Sequence, residues 1–71
     1  MALRKAVIYM KHADPYGVRA KALLSAKGVS VTLCDLPSDE RETYIVIGLW
    51  RGTFEELGSL ELKGELDALF G

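Results

Sequence analysis

The stretch AVIYMKHADPYGVRAKALLSAKGVSVTLC, residues 6–34, decides the fold. Its first five residues, Ala6 to Met10, are apolar and rich in β-formers, and they predict a buried strand. The chain turns polar at Lys11 and His12, and Asp14-Pro15 then marks a helix start. The Asp14 carboxylate can accept from a free backbone N–H as N-cap, and Pro15 at the first helical position loses nothing by lacking its own N–H. The helix is predicted to run to Lys27, with Gly28 as its left-handed cap. Tyr16, Ala20, Leu23, Leu24 and Lys27 follow the spacing of one buried face, Lys27 contributing its aliphatic stem. Val29 to Cys34 alternates apolar and small polar residues, as a half-buried strand does. Val29, Val31 and Leu33 fall on one face and Ser30, Thr32 and Cys34 on the other. A strand, a helix and a strand so closely linked predict a right-handed βαβ unit with parallel strands.

Beyond this unit, Pro37 to Glu42 reads as a polar loop. Tyr44 to Leu49 predicts a third strand, weakened at Gly48. Trp50 and Arg51 either begin a short fourth strand or form a tight turn. Thr53-Phe54-Glu55-Glu56 is a capping box that opens the last helix, and its two glutamates suit the positive end of the helix dipole. That helix should stop near Lys63-Gly64, leaving Glu65 to Phe70 for a final apolar turn.

The whole chain has 71 residues, which allows one domain, residues 1–71. So small a core is marginal without help from a ligand, a partner or a second copy. Nine basic residues against ten acidic leave no basic stripe for a phosphate backbone, so nucleic acid is not an expected partner. No apolar run is long enough to span a membrane, and the N-terminus does not read as a signal peptide. The one cysteine, Cys34, cannot form an internal disulfide, and with no leader it fits a reducing cytoplasm. One histidine and one cysteine make no metal cluster, so no metal is expected.

Several motifs together carry a resemblance. Ala6 to Lys11, then Asp14-Pro15-Tyr16-Gly17, then Val18 to Leu24 and Lys27-Gly28-Val29, resemble a glutaredoxin of the C-P-Y-C type. Ile45 to Ile47 is similar to that family's third strand, and Gly52 to Leu57 is similar to the G-G-x-D-D-L start of its last helix. Lys63 to Leu69 is similar to its closing segment. The resemblance implies an α/β, thioredoxin-like fold: a minimal β-α-β-β-(β)-α sheet with helices mainly on one face.

The departures bear on function. In the family a low-pKa thiolate at a helix N-terminus attacks a disulfide. Asp14 and Gly17 stand where the resemblance puts the two cysteines, so thiol–disulfide exchange is not expected and no residue is assigned a catalytic role. Only Pro37 to Tyr44 separates the second and third strands, where the family has a helix and a cis proline. Eight residues cannot hold an average helix of about 11–12 plus its connections. They need only cross one strand, roughly 10 Å between second neighbours. The proline position becomes Thr43. Loss of the helix is expected to bare one sheet face rich in Val and Ile, and such surface usually marks an interface.

The first expectation is therefore a non-catalytic, protein-binding module, a homodimer packed sheet face to sheet face or a chain covered by a host protein. Trp50, Ser30, Thr32 and Cys34 are its candidate interface residues, although Trp50 reads equally as core and Cys34 first as a small buried hydrophobe. The resemblance also implies a glutathione groove at Lys11, Tyr16, Gly52, Thr53 and Glu55. A residual glutathione-binding or redox protein, using noncovalent glutathione or Cys34, is the alternative. The preferred reading of those groove residues is that they are kept because they pack and cap, without a ligand. A designed or redox-silenced chain is the third reading. Asp14 reads as a helix cap rather than a general base, and His12 as an exposed loop residue.

Overall fold

A computed structural model describes residues 4–70 of the chain. Strand β1 (Lys5–Met10) leads into helix α1 (Pro15–Ala26), strand β2 (Ser30–Asp35), strands β3 (Tyr44–Ile47) and β4 (Trp50–Gly52), helix α2 (Phe54–Lys63) and a closing 3₁₀ turn at Leu66–Phe70. The sheet order is β2-β1-β3-β4. Strand β2 lies parallel to β1, as the short βαβ unit predicts, while β3 and β4 run antiparallel.

Strand alternation separates the two faces. Ala6, Ile8 and Met10 of β1 and Ile45 and Ile47 of β3 are buried beneath both helices, where they meet Ala20, Leu24, Leu57 and Leu66. The opposite face carries no helix. Registers Val7↔Thr32, Tyr9↔Cys34, Val7↔Val46 and Tyr9↔Tyr44 bring those side chains onto it, and Val46↔Arg51 adds the arginine. The bare face exists as expected, but the isoleucines lie on the covered side. In their place Tyr9 and Tyr44 stack with ring centroids 4.9 Å apart, and the Arg51 guanidinium lies 3.9 Å over the Tyr44 ring. Arg51 also donates to Glu40 at 2.6 Å, a bond that raises its pKa further above the usual arginine value.

Several boundaries move. Strand β2 starts at Ser30 because the Val29 N–H is drawn back to the Leu24 carbonyl at the helix end. Lys27 caps α1, and Gly28 takes φ 77°. Strand β3 stops at Ile47, since Gly48 at φ 59° begins a two-residue turn through Leu49, and Trp50 then opens a true fourth strand. The lead position of a tight hairpin turn wants this positive φ, which glycine supplies without a Cβ penalty. Tyr16 is not part of the α1 core face: it is 54% exposed, and Gly17 occupies the buried position beside it.

Trp50 parts company with Ser30, Thr32 and Cys34. Its pairing with Ile47 puts it on the helix-covered face, packed against the core, whereas those three belong to the bare face. Strand alternation forbids one continuous patch containing all four.

The two helices are fixed at their ends. In α2 the Thr53 hydroxyl accepts from the Glu56 N–H at 3.3 Å, and the Glu56 carboxylate accepts from the Thr53 N–H at 3.0 Å. Gly64 closes the helix at φ 73°. Lys27 Nζ reaches Glu61 at 2.8 Å and Asp67 at 3.4 Å, tying the end of α1 to α2 and the final turn. The hydrogen bond that Lys27 donates to Glu61 raises the Lys27 pKa, so the lysine's contribution to this link is present at neutral pH and is lost as pH rises through the alkaline range.

At the start of α1 the Asp14 carboxylate acts twice. One oxygen accepts from the Tyr16 N–H at 3.2 Å, and the other accepts from the hydroxyl of Thr43 just before β3. Thr43 is the one buried polar residue among those described, at 8% exposure. Deleting the carboxylate removes a cap worth about 1 kcal/mol and leaves a buried hydroxyl unpaired, at a further cost of about 1 kcal/mol. Asp14→Ala should therefore lower unfolding stability in urea by about 2 kcal/mol, while Asp14→Asn, which keeps an acceptor for the helix, should lose less than about 1 kcal/mol.

Gly17 is constrained differently. A Cβ there would stand 2.8 Å from Met10 Cε and 3.0 Å from Met10 Cβ, closer than packed carbons allow. Gly17→Ala is expected to destabilise by about 1–3 kcal/mol through overpacking. A double variant with Met10→Val should recover part of that loss in the same urea titration, which a purely local helix effect would not do.

Candidate functional site

The chain leaves β1 through a tight turn in which the Asp14 N–H donates to the Lys11 carbonyl at 3.1 Å. Ala13 sits in this turn at φ 61°, a left-handed conformation that L-residues with a Cβ rarely adopt. The turn is thus held against its own preference, and it sets the direction in which α1 starts. Across from it, Thr53 and Phe54 begin α2. The two helix N-termini and the loop before β3 enclose a groove of about 650 Å³.

Lys11, His12, Ala13, Asp14, Pro15 and Tyr16 form one wall, Thr53, Phe54 and Glu55 the other, and Arg41, Glu42 and Thr43 the third side. The Tyr16 and Phe54 rings approach to 6.1 Å at 42° and give the groove an aromatic flank. Two cations, Lys11 and Arg41, are exposed on its rim, and neither forms an ion pair among the described residues. Asp14, Glu42 and Glu55 supply carboxylates. Glu55 stands in the first turn of α2, where the dipole favours it.

Four of the five groove residues expected from sequence, Lys11, Tyr16, Thr53 and Glu55, come together here. Gly52 does not. It is buried under the Trp50 indole and belongs to a neighbouring shallow depression of about 270 Å³ floored by Tyr44, Arg51 and Thr53. The Thr53 N–H is likewise engaged by Glu56, so the capping box uses a donor that an anionic ligand could have taken. Arg41 and Phe54 were not legible as groove residues. Arg41 lies in a polar loop where it reads as solvated, and Phe54 reads as the apolar member of the capping box. Only the crossing of the chain from β2 to β3 brings Arg41 into the groove that Lys11 lines.

Chemically the groove offers charge, aromatic surface and unpaired N–H groups at helix starts, but no thiol. Cys34 lies half-buried on the bare sheet face opposite Tyr9, outside the groove lining. Among the described residues no three His, Cys, Asp or Glu side chains gather in a way that could hold a metal ion, and no helix is long and apolar enough to cross a membrane.

No protein-family model matches the chain, and no curated protein does. Solved structures do. The solution structure of glutaredoxin from Brucella melitensis matches with a TM-score of 0.79 and 30% identity, over 99% of this chain and 91% of that one. A chain solved in work on metal binding of glutaredoxins matches with a TM-score of 0.74 and 29% identity, over 97% of this chain and 90% of that one. Both matches span nearly the whole of this chain and about nine-tenths of each neighbour. The chain belongs to the glutaredoxin family.

Proposed function

We propose that this is a non-catalytic glutaredoxin-family protein that acts by noncovalent binding at the groove between its two helix N-termini. One observation carries the reading. Asp14 stands at the head of α1, where the family resemblance sets the nucleophilic thiol, and both of its carboxylate oxygens are committed to structure, one to the Tyr16 N–H and one to the Thr43 hydroxyl. A carboxylate cannot form a mixed disulfide, and it would repel a thiolate brought beside it. Gly17, at the second thiol position of the resemblance, lies so close to Met10 that a side chain there meets it. The remaining thiol, Cys34, is outside the groove.

A second reading is favoured by Lys11 and Arg41. Two free cations flanking an aromatic groove suit an extended ligand with two carboxylates, and glutathione has that chemistry. The residues fit it at its carboxylate ends and fit it poorly at its sulfur. A neutral thiol could lie beside Asp14, whereas the thiolate form would be disfavoured there.

The test is a glutathione-coupled disulfide-reduction assay on the full chain, paired with a glutathione titration followed by backbone amide NMR. The chain and its Cys34→Ser variant are both expected to show only the uncatalysed rate; turnover that disappears in Cys34→Ser would overturn the non-catalytic assignment. Amide shifts at Lys11, Tyr16, Phe54 and Glu55, weakened roughly tenfold in affinity by Lys11→Ala, about 1.4 kcal/mol, are the expected sign of glutathione in the groove. Saturating glutathione without shifts at those residues would remove that ligand and leave a protein segment as the groove's occupant.

A further inference from the structure

The two edges of the sheet are unlike. Strand β4 is three residues long, carries Arg51, and ends in Gly52 under the Trp50 ring. Short length and charge are the usual means by which an edge strand is kept from pairing with another chain. Strand β2 has neither. It is six residues long, SVTLCD, with no proline or glycine and no charge before Asp35.

The hydrogen bonds of β2 with β1 fix which of its backbone groups face outward. Ser30 N–H donates to the Arg4 carbonyl at 2.9 Å, and Leu36 N–H donates to the Met10 carbonyl at 3.2 Å. In a parallel ladder alternate residues point the same way, so Thr32 and Cys34 also bond inward. The N–H and C=O groups of Val31, Leu33 and Asp35 therefore point away from the sheet. Their side chains share the helix-covered face, because Leu33 pairs with the buried Ile8. Even so, Leu33 is 47% exposed, a large apolar side chain at an open edge.

We infer that strand β2 is a self-association edge, which pairs antiparallel with β2 of a second copy about a two-fold axis at Leu33. The arrangement of donors selects the register, and the charge beside the strand selects a second copy as the occupant. A two-fold axis normal to the sheet sets Leu33 opposite Leu33 of the second copy, and Val31 opposite Asp35 on either side. Each of these pairs can exchange two N–H···O bonds, because all three residues already direct their backbone groups outward. A shift of one residue on each strand would centre the axis on an inward-bonded residue and forfeit the central pair. In the selected register the two Leu33 side chains cover one another, which removes exposed apolar surface from water.

Charge agrees with this register. Helix α1 packs on β1 and β2, and α2 on β3 and β4. Tyr16 and Lys27 of α1 face α2. At 100° per residue, Lys21 lies on the opposite flank, over the β2 edge. Asp35 of the second copy, carried past the axis to Val31, arrives beside that lysine. The bare face contributes little to self-association by comparison, since Tyr9, Tyr44, Arg51 and Glu40 on and beside it are already engaged with one another. An edge pair of this length buries a small area and gives a weak, concentration-dependent dimer that extends the sheet from four strands to eight.

The experiment is amide hydrogen exchange of the full chain from micromolar to millimolar concentration, with sedimentation equilibrium on the same samples. Protection at Val31, Leu33 and Asp35 should rise with concentration, while Thr32 and Cys34, bonded inward to β1, stay protected throughout. Leu33→Lys, which sets two like charges at the axis on an exposed position, should abolish both the concentration-dependent protection and the dimer. A Val46→Lys variant on the bare face should leave both intact. A chain that sediments as a monomer throughout, with those three amides unprotected, overturns the proposal. So does a dimer that survives Leu33→Lys and is lost in Val46→Lys, which would instead assign association to the sheet face.

Discussion

The structure depends on one carboxylate. Asp14 accepts the first free N–H of α1 and the hydroxyl of Thr43, and so joins the start of the helix to the loop that leads into β3. These two segments are 29 residues apart in the chain. Between them lie α1 and β2, and the polar link after β2 has no regular element of its own. Without a polar contact at this point, the loop would hold a buried threonine with no partner, and the mouth of the groove would have no fixed third side. The helix-capping preference of aspartate and the burial of Thr43 are thus satisfied by the same group. A cap that also anchors a loop contributes more to this fold than a cap alone.

The short β2–β3 link governs the rest of the molecule. Because only eight residues, Leu36 to Thr43, span this connection, both helices lie on one face and the other is left to side chains alone. That face is not a continuous aliphatic surface. The Tyr9–Tyr44 stack lies across its middle, and Arg51 covers the outer tyrosine while bonding Glu40 in the linking loop. Aromatic rings with a guanidinium above them tolerate water on one side better than bare isoleucine would, since the charged group stays solvated while its plane covers the ring. The apolar β-branched residues Ile8, Ile45 and Ile47 are held for the side that the helices close. A sheet with one covered face can stand alone when its residues are sorted in this way.

Much of this was legible in the sequence, and the parts that were not have physical causes. Asp14-Pro15, the Thr53–Glu56 capping box and Gly28 and Gly64 each specify local backbone geometry through their own side chains or lack of one, so both helices and their ends follow from short windows. The parallel β1–β2 pair follows from the length of the connection. Helical spacing alone puts Tyr16 on the core face because it cannot tell a core position from one that faces a groove; Gly17, with no side chain, lets α1 approach Met10 and takes the buried place. The face of Trp50 depends on the parity of the turn at Gly48-Leu49, which fixes the β3–β4 register and is not visible in the local pattern. Arg41 reached the groove through a long-range crossing that no local pattern encodes. Local chemistry is written in the sequence; the juxtaposition of loops is not.

The proposed loss of thiol chemistry is consequently not a matter of one residue. The N-terminal end of α1 would favour a thiolate as it favours the Asp14 carboxylate, through the same unpaired N–H groups and the same dipole. A cysteine at position 14 could therefore regain a stabilised anion, but one sulfur would replace the two oxygens that hold the Tyr16 N–H and the Thr43 hydroxyl, and the anchor of the loop before β3 would weaken. A resolving thiol at position 17 would press against Met10, whose side chain fills the core between β1 and α1. Each of these substitutions is opposed by a separate piece of packing. The groove can keep its shape under these conditions because its walls are set by the helix caps and by the strained turn at Ala13, not by the residues that would carry out the chemistry. On the proposed reading the site loses its reaction and keeps its groove, since the two rest on different interactions.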